Sequence, residues 1–496
     1  MQISAEKSRL GAFTFISVGL LLLFCAWIPL YQGSNRAVLW AFNGMAVAFL
    51  FCLVHLTNNG ERDHLPRAWI GFVVLIALVG WVGTAGVRGL VLTPFDAQSG
   101  SLDSLLTGPP LISFSPSDSL LVCLVMMSFA MLWSLSRRLA STLGAQTLLL
   151  LLLVIFGLHA ALGFLEITVD YEFPLTEPNF DDFGAVADGG FANRNTFATY
   201  LGLGAVVALA LTMRSLSVLN TSALPVLQLS TALLSSFVLL LILTALLLTQ
   251  SRMGAASTVS ALVLMILSFG FVYRAWIVTG VFLSLVVFGT LAGGYASVEL
   301  LERIDDSGAD FQTRLLVYQE GLSLWMQRPM TGFGAGSFET IFGAFKSEAV
   351  AWAIWDMAHN TYVTALFELG SLGSALMLIL FLWLTLHQLR TLRRDQGIAG
   401  LVGLGGLIVV GLHACLDYSL EIYAVTATLM VMLGIGAAPL SDPPHQSSLP
   451  PKINKATAKP VTEQFYPEFA NTSDRPRARR FKPSAAPLKN PMQKGS

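Results

Sequence analysis

Twelve runs of about 18 or more predominantly apolar residues recur along this chain, and nothing else restricts its fold as strongly. They lie at approximately 11–30, 37–56, 68–87, 119–136, 146–165, 196–213, 226–249, 254–272, 275–295, 361–386, 398–416 and 420–438. A backbone that crosses about 30 Å of hydrocarbon finds no water there, so each run must satisfy its own N–H and C=O groups as a helix. Composition agrees. The chain is 12% charged and has a mean hydropathy of +0.67, against about 25% charged in soluble domains. The expectation is an all-α integral membrane protein with about 12 transmembrane helices. The first run follows Lys7 and Arg9 as a signal peptide would. Its core exceeds the roughly 7–15 residues of such a segment and no small-x-small site follows, so it reads as a retained helix.

Basic residues set the orientation. With the N-terminus inside, the inner connections carry Lys7, Arg9, Arg62, Arg67, Arg137, Arg138, Arg214, Arg274, Arg390, Arg393 and Arg394. The long outer loops are acidic: 166–195 holds seven acids against Arg194, and 296–360 holds nine against Arg303, Arg314, Arg328 and Lys346. Only the short outer connections with Arg36 and Arg252 run against this pattern. The reading divides the chain into a polytopic membrane domain over 1–440 and a basic cytoplasmic tail over 441–496. The domain carries a long outer loop, 296–360, between spans nine and ten. The tail is rich in Pro, Lys, Ser and Ala without apolar periodicity, and is expected to be disordered. Its cluster of Arg475, Arg477, Arg479, Arg480 and Lys482 could meet anionic inner-leaflet lipid, or simply enforce topology. The four cysteines fall inside apolar runs without CxxC spacing, so neither a disulfide framework nor a zinc site is indicated. No nucleotide-binding loop is present, no cofactor is implied, and nothing points to a nucleic-acid partner.

A few polar residues beside the membrane require a reason. Arg252 follows the long run 226–249 directly; a cation there either snorkels to lipid phosphate or meets a substrate anion. Around Arg314, Phe311, Leu315, Tyr318, Leu322 and Trp325 recur at helical spacing, which predicts an amphipathic helix lying along the outer surface. Arg314 falls within that stripe, so it should face a buried anion or a water-filled cavity. His359, just before the tenth span, titrates near neutrality and can take a proton from an attacking hydroxyl. Asn360 and Tyr362 add hydrogen-bonding groups beside it. The glycine run Gly332-Phe333-Gly334-Ala335-Gly336 follows no strand, so it reads as a tight turn that approaches a ligand or another helix. Glu368 lies about 10 Å along its helix, where it could pair inside the bundle or line a cavity. His413 and Asp417, four apart, could pair on one helix face.

These residues together resemble the O-antigen ligase and polymerase superfamily. The likeness rests on Ser251-Arg252-Met253-Gly254, Arg314 before a helix and glycine loop, and His359-Asn360-Thr361-Tyr362 followed by Glu368-Leu369-Gly370-Ser371-Leu372-Gly373. Phe191-Ala192-Asn193-Arg194-Asn195-Thr196-Phe197 also fits. It spans roughly 180–435, with the order of the motifs and the span count adding to it.

The resemblance implies a GT-C-like, inverting, metal-independent glycosyltransferase of the bacterial inner membrane, both termini cytoplasmic. Its donor would be a glycan on undecaprenyl diphosphate at the periplasmic face. Its acceptor would be a sugar hydroxyl, on lipid A-core or on another carrier-linked glycan. Arg314 and Arg252 would hold the diphosphate, with Arg194 a further contact, since guanidinium groups match phosphate oxygens bidentately and stay charged. His359 would serve the acceptor hydroxyl, and Asn360, Tyr362 and Glu368 would contact substrate. No Asp-x-Asp or His/Cys cluster offers a metal site in the sequence. A surface polysaccharide or exopolysaccharide polymerase, and more distantly a lipid-linked glycan transporter, remain open alternatives.

Overall fold

A computed structural model describes residues 2–56, 113–169, 186–219, 222–273, 280, 304–393 and 397–438. The chain is an all-α membrane protein. In chain order the described helices are α1 (Gln2–Trp27), α2 (Ala37–Leu56), α3 (Pro116–Leu143), α4 (Ala145–Val169), α5 (Arg194–Val218) and α6 (Pro225–Leu248). They continue with α7 (Arg252–Tyr273), α8 (Ile304–Trp325), α9 (Phe338–Phe345), α10 (Thr361–Leu392), α11 (Ile398–His413) and α12 (Tyr423–Gly436). Ten of the expected spans coincide with α1–α7 and α10–α12. The expected spans 68–87 and 275–295 lie outside the described residues, apart from residue 280, and so does the tail. Seven of the described helices are long and apolar enough to cross a membrane; α11 and α12 are shorter.

Burial orders the bundle. Nearly every side chain of α5 from Thr196 to Ser215, and every one of α12, is buried. Helices apolar on all sides belong in the middle of a bundle. α5 packs against α6, α7 and α11, while α12 packs against α3 and α11. Small residues allow the contact, as expected where lipid tails are as apolar as leucine. A Cβ at Gly434 would meet the Trp133 carbonyl oxygen at 2.4 Å. Within this apolar interior, Gln388 Nε2 donates to the Leu433 carbonyl at 3.0 Å, which ties α10 to α12.

The stretch after residue 304 carries a helix around Arg314, as the apolar repeat predicts, and further structure beyond it. α8, α9 and a short 3₁₀ turn (Glu348–Val350) enclose a second apolar core with Phe114, Phe333 and Phe367. The buried face of α8 differs from the expected stripe. Val317, Tyr318, Gly321 and Leu324 are buried, whereas Phe311 is 47% exposed. At 100° per residue this is a rotation of roughly 90°. Packing decides it: α8 lies against α10 and the 3₁₀ turn, so the side chains facing protein, not those of the most regular apolar repeat, become the core.

α10 is broken at Gly370, whose φ of 64° and ψ of −173° lie outside helical space. The glycine loop 329–334 fills the break. Phe333 N donates to the Phe367 carbonyl, Gly334 N to that of Glu368, Ser371 N to that of Pro329 and Leu372 N to that of Met330, at 2.7–3.2 Å. The two glycine motifs are thus halves of one junction. Gly332 and Gly370 approach so closely that a Cβ on either would stand 2.5 Å from the other strand's backbone.

Candidate active site

The residues from His413 to Ser419 form the tight connection between α11 and a 3₁₀ turn (Ser419–Glu421), and they receive most of the motif residues. Arg314 Nη1 donates to the Leu416 carbonyl at 2.8 Å. Asn360 Nδ2 donates to the Cys415 carbonyl at 2.8 Å, and Thr361 N to that of Ala414 at 3.1 Å. Tyr362 Oη reaches the Gly411 carbonyl at 2.7 Å. A helix that ends without capping side chains leaves such carbonyls open, and here motif side chains fill them. Asn360 does double duty: its Oδ1 accepts from Tyr362 N and Val363 N and so caps α10.

His359 is held in place from three sides. Its backbone has a φ of +54°, one of four positive values among the described non-glycine residues. Such backbone strain persists only where the surroundings impose it. Its carbonyl accepts from Tyr318 Oη at 2.9 Å. Its ring stands edge-on to Trp355 (5.7 Å) and to Tyr418 (4.8 Å). Tyr418 Oη in turn accepts from Asn193 Nδ2 at 3.2 Å. Burial raises the Tyr418 phenol, so it stays protonated.

Arg194 and Arg252 are the first residues of α5 and α7. The two helix starts are neighbours, since a Cβ on Gly254 would lie 2.4 Å from that of Ala198. Helix N-termini carry partial positive charge and attract anions. Two arginines there add to that sign instead of offsetting it, which suits a bound anion. Asn193 caps α5 through Asn195 N at 2.8 Å, and buried Phe191 packs on Phe197 and Tyr200. The Phe191–Phe197 motif is therefore anchored to Tyr418 and, through it, to His359.

Glu368 sits at the other side of the junction. Its Oε1 accepts from Phe338 N at 3.0 Å, at the start of α9. It also lines a cavity of about 820 Å³ bounded by α2, α3, α10 and α12. Carboxyls of Asp118, Glu339, Asp356 and Glu421 share the lining, together with Arg36, whose Nε donates to Gln32 Oε1. Arg314, His359, Arg252 and Arg194 are not among its described lining residues, although Asp356, Met357, Thr361 and Ala192 bring its rim close to them in sequence. Sequence reasoning did not single out Tyr418, and it met Arg36 only as an exception to the charge pattern and Asn193 only inside a motif. For Arg36 a signal existed, because it is a cation on the side where cations are disfavoured. At the far end of α8, Arg328 lies over the rings of Phe114 (4.9 Å) and Phe333, and burial lowers its pKa.

Residues 237–378 match the family profile described as O-antigen ligase. This part of the chain is similar to the O-antigen ligase and polymerase superfamily. The match contains Arg252, Arg314, His359, Asn360, Tyr362 and Glu368, while Arg194 and the turn 413–419 lie outside it. No curated protein matches the chain. The matched segment supplies Arg252, Arg314 and the imidazole, and α5, which adds Arg194, and α11 flank it in sequence and supply the surfaces on which they are mounted.

Proposed function

We propose that the protein transfers a glycan from an undecaprenyl diphosphate carrier to a sugar hydroxyl, in the manner of an O-antigen ligase, at the periplasmic face of a bacterial inner membrane. The observation that carries this reading is the docking of Arg314 and of Asn360 to Tyr362, next to His359, on one turn of the family domain's neighbour α11. Transfer needs a base for the acceptor and positive charge for the departing diphosphate, and these groups supply both at one end of the bundle.

His359 takes the proton of the acceptor hydroxyl as its oxygen bonds to the anomeric carbon. The bond from that carbon to the carrier phosphate breaks, and its electron pair leaves with the diphosphate. Arg314 neutralises the charge that grows there, with Arg252 and Arg194 at the adjoining helix starts. Attack opposite the leaving group in a single displacement inverts the anomeric configuration. Guanidinium groups stay protonated throughout, so they can carry the charge that a divalent metal carries in other transferases.

Reconstitution tests the proposal directly. Purified protein in lipid vesicles is given a defined undecaprenyl diphosphate glycan with either a lipid A-core or a carrier-linked acceptor. Product on lipid A-core identifies a ligase, and longer carrier-linked chains identify a polymerase. Movement of the donor across the vesicle without any product overturns the enzyme reading in favour of transport.

A further inference from the structure

Beneath the turn that receives Arg314 lies a buried polar network that the transfer chemistry does not use. His413 and Asp417 are each 1% exposed, and their Nδ1 and Oδ2 atoms are 3.7 Å apart. Taken with a proton on Nδ1, His413 donates to Thr199 Oγ1, Thr199 donates to Ser419 Oγ at 2.9 Å, and Ser419 donates to Asp417 Oδ2. One chain of donors thus runs from an imidazole to a carboxylate, joining α5, α11 and the 3₁₀ turn. Such chains polarise one another in a low dielectric.

As a stability device the network is a poor choice. No described residue hydrogen-bonds Asp417 Oδ1 or His413 Nε2, although both atoms are buried. An unsatisfied buried polar atom is costly, and well-packed apolar residues commonly match or exceed a buried ion pair in stability. What the network does achieve is a fixed backbone from 413 to 419, and that backbone has a second face. Its inward side chains make the chain of donors, while its Ala414, Cys415 and Leu416 carbonyls accept from Thr361, Asn360 and Arg314. Tyr418, between Asp417 and Ser419, presents its ring to His359.

We infer that Asp417, acting through Ser419 and the turn 413–419, is a positioning residue for glycan transfer that fixes the Arg314 guanidinium against the substrate diphosphate. This rests on the function proposed above. The carboxylate holds the Leu416 carbonyl at the height from which Arg314 is oriented.

A double-mutant cycle separates this role from a merely structural one. Asp417→Asn keeps one oxygen to accept from Ser419 but removes the charge. Turnover per folded molecule at saturating donor and acceptor is expected to fall about tenfold, with melting temperature unchanged or raised. In an Arg314→Lys background the same change is expected to cost less than about twofold, because residues acting through one another are not additive. Equal losses in both backgrounds overturn the proposal. So does a loss that tracks only the folded fraction. Should Asp417→Asn fail to fold, Ser419→Ala asks the same question by deleting the hydroxyl that Asp417 and Thr199 share, and wild-type turnover in that variant sinks the idea. If the wild-type protein transfers no glycan, the functional reading fails separately. Undecaprenyl diphosphate binding by the same four proteins then decides the coupling, additive losses overturning it.

Discussion

Replacing Gly370 by alanine tests the junction that joins the glycine loop to α10. Gly370 has a φ of 64° and a ψ of −173°, a region that only glycine occupies without strain. A side chain there costs roughly 1–3 kcal/mol in backbone conformation alone. The new Cβ would also stand 2.5 Å from Gly332 N and from the Met330 carbonyl carbon, both backbone atoms that cannot rotate away. The loop must therefore move, and it holds four backbone hydrogen bonds to residues 367–372. Each such bond contributes about 0.5–1.5 kcal/mol, so losing two or three adds roughly 1–4 kcal/mol. The total of roughly 2–7 kcal/mol is a large share of the 5–15 kcal/mol that typically separates folded from unfolded states. Thermal unfolding in lipid nanodiscs, followed by tryptophan fluorescence, is the assay. Gly370→Ala is expected to melt far below wild type or fail to accumulate. Gly321→Ala is the control: its Cβ would meet Val363 Cγ1 at 3.5 Å and Phe338 Cε2 at 3.8 Å, both ordinary contacts, and in mid-helix it should be neutral or slightly stabilising. A Gly370→Ala protein that melts with the wild type would refute the junction as the constraint on this region.

Three further outcomes are expected. Arg314→Lys keeps the charge but loses the planar fork that can bond the Leu416 carbonyl and a phosphate together, so transfer should drop by about 10²–10³ while membrane levels hold; near-normal turnover would reduce Arg314 to a structural contact. His359→Ala should slow transfer by about 10²–10⁴ with donor affinity largely kept, and a collapse of donor binding with turnover preserved at saturation would move the base elsewhere, Glu368 first. A cysteine at Ser307 should react with a membrane-impermeant thiol reagent in intact spheroplasts and one at Ser484 should not; the reverse pattern would invert the orientation.

The spans were legible because length and apolarity alone decide them, and α1–α7 and α10–α12 fall where the runs predict. Finer placement was not. α8 shows a regular apolar repeat through Phe311 and Leu315, yet buries the neighbouring face because α10 and α9 supply a core that local periodicity cannot see. The break at Gly370 was hidden for a related reason. A glycine in an apolar run is compatible with a continuous helix, and only the loop 329–334, about 40 residues upstream, shows that it is not. At the candidate site, Arg252, Arg314, His359 and Glu368 stood out as polar residues beside apolar runs. Tyr418 did not, and Asn193 entered only as a motif member, because their importance lies in a contact between the start of α5 and the turn after α11, which no spacing in the sequence encodes.

α11 and α12 have 16 and 14 residues, which at 1.5 Å per residue makes them about 24 and 21 Å long, short of a hydrocarbon layer about 30 Å thick. A pair this short would set its connecting turn below the boundary of that layer. A carrier lipid keeps its phosphates at the boundary where hydrocarbon gives way to headgroups, so a recessed turn would meet a diphosphate without drawing it out of the bilayer. In the transfer proposed above, the work of approach would then fall on the acceptor, whose sugar would have to descend into the protein to reach His359. Depth would select between partners that share the same hydroxyl chemistry: glycans long or flexible enough to dip below the surface would be used, and those held stiffly above it would not.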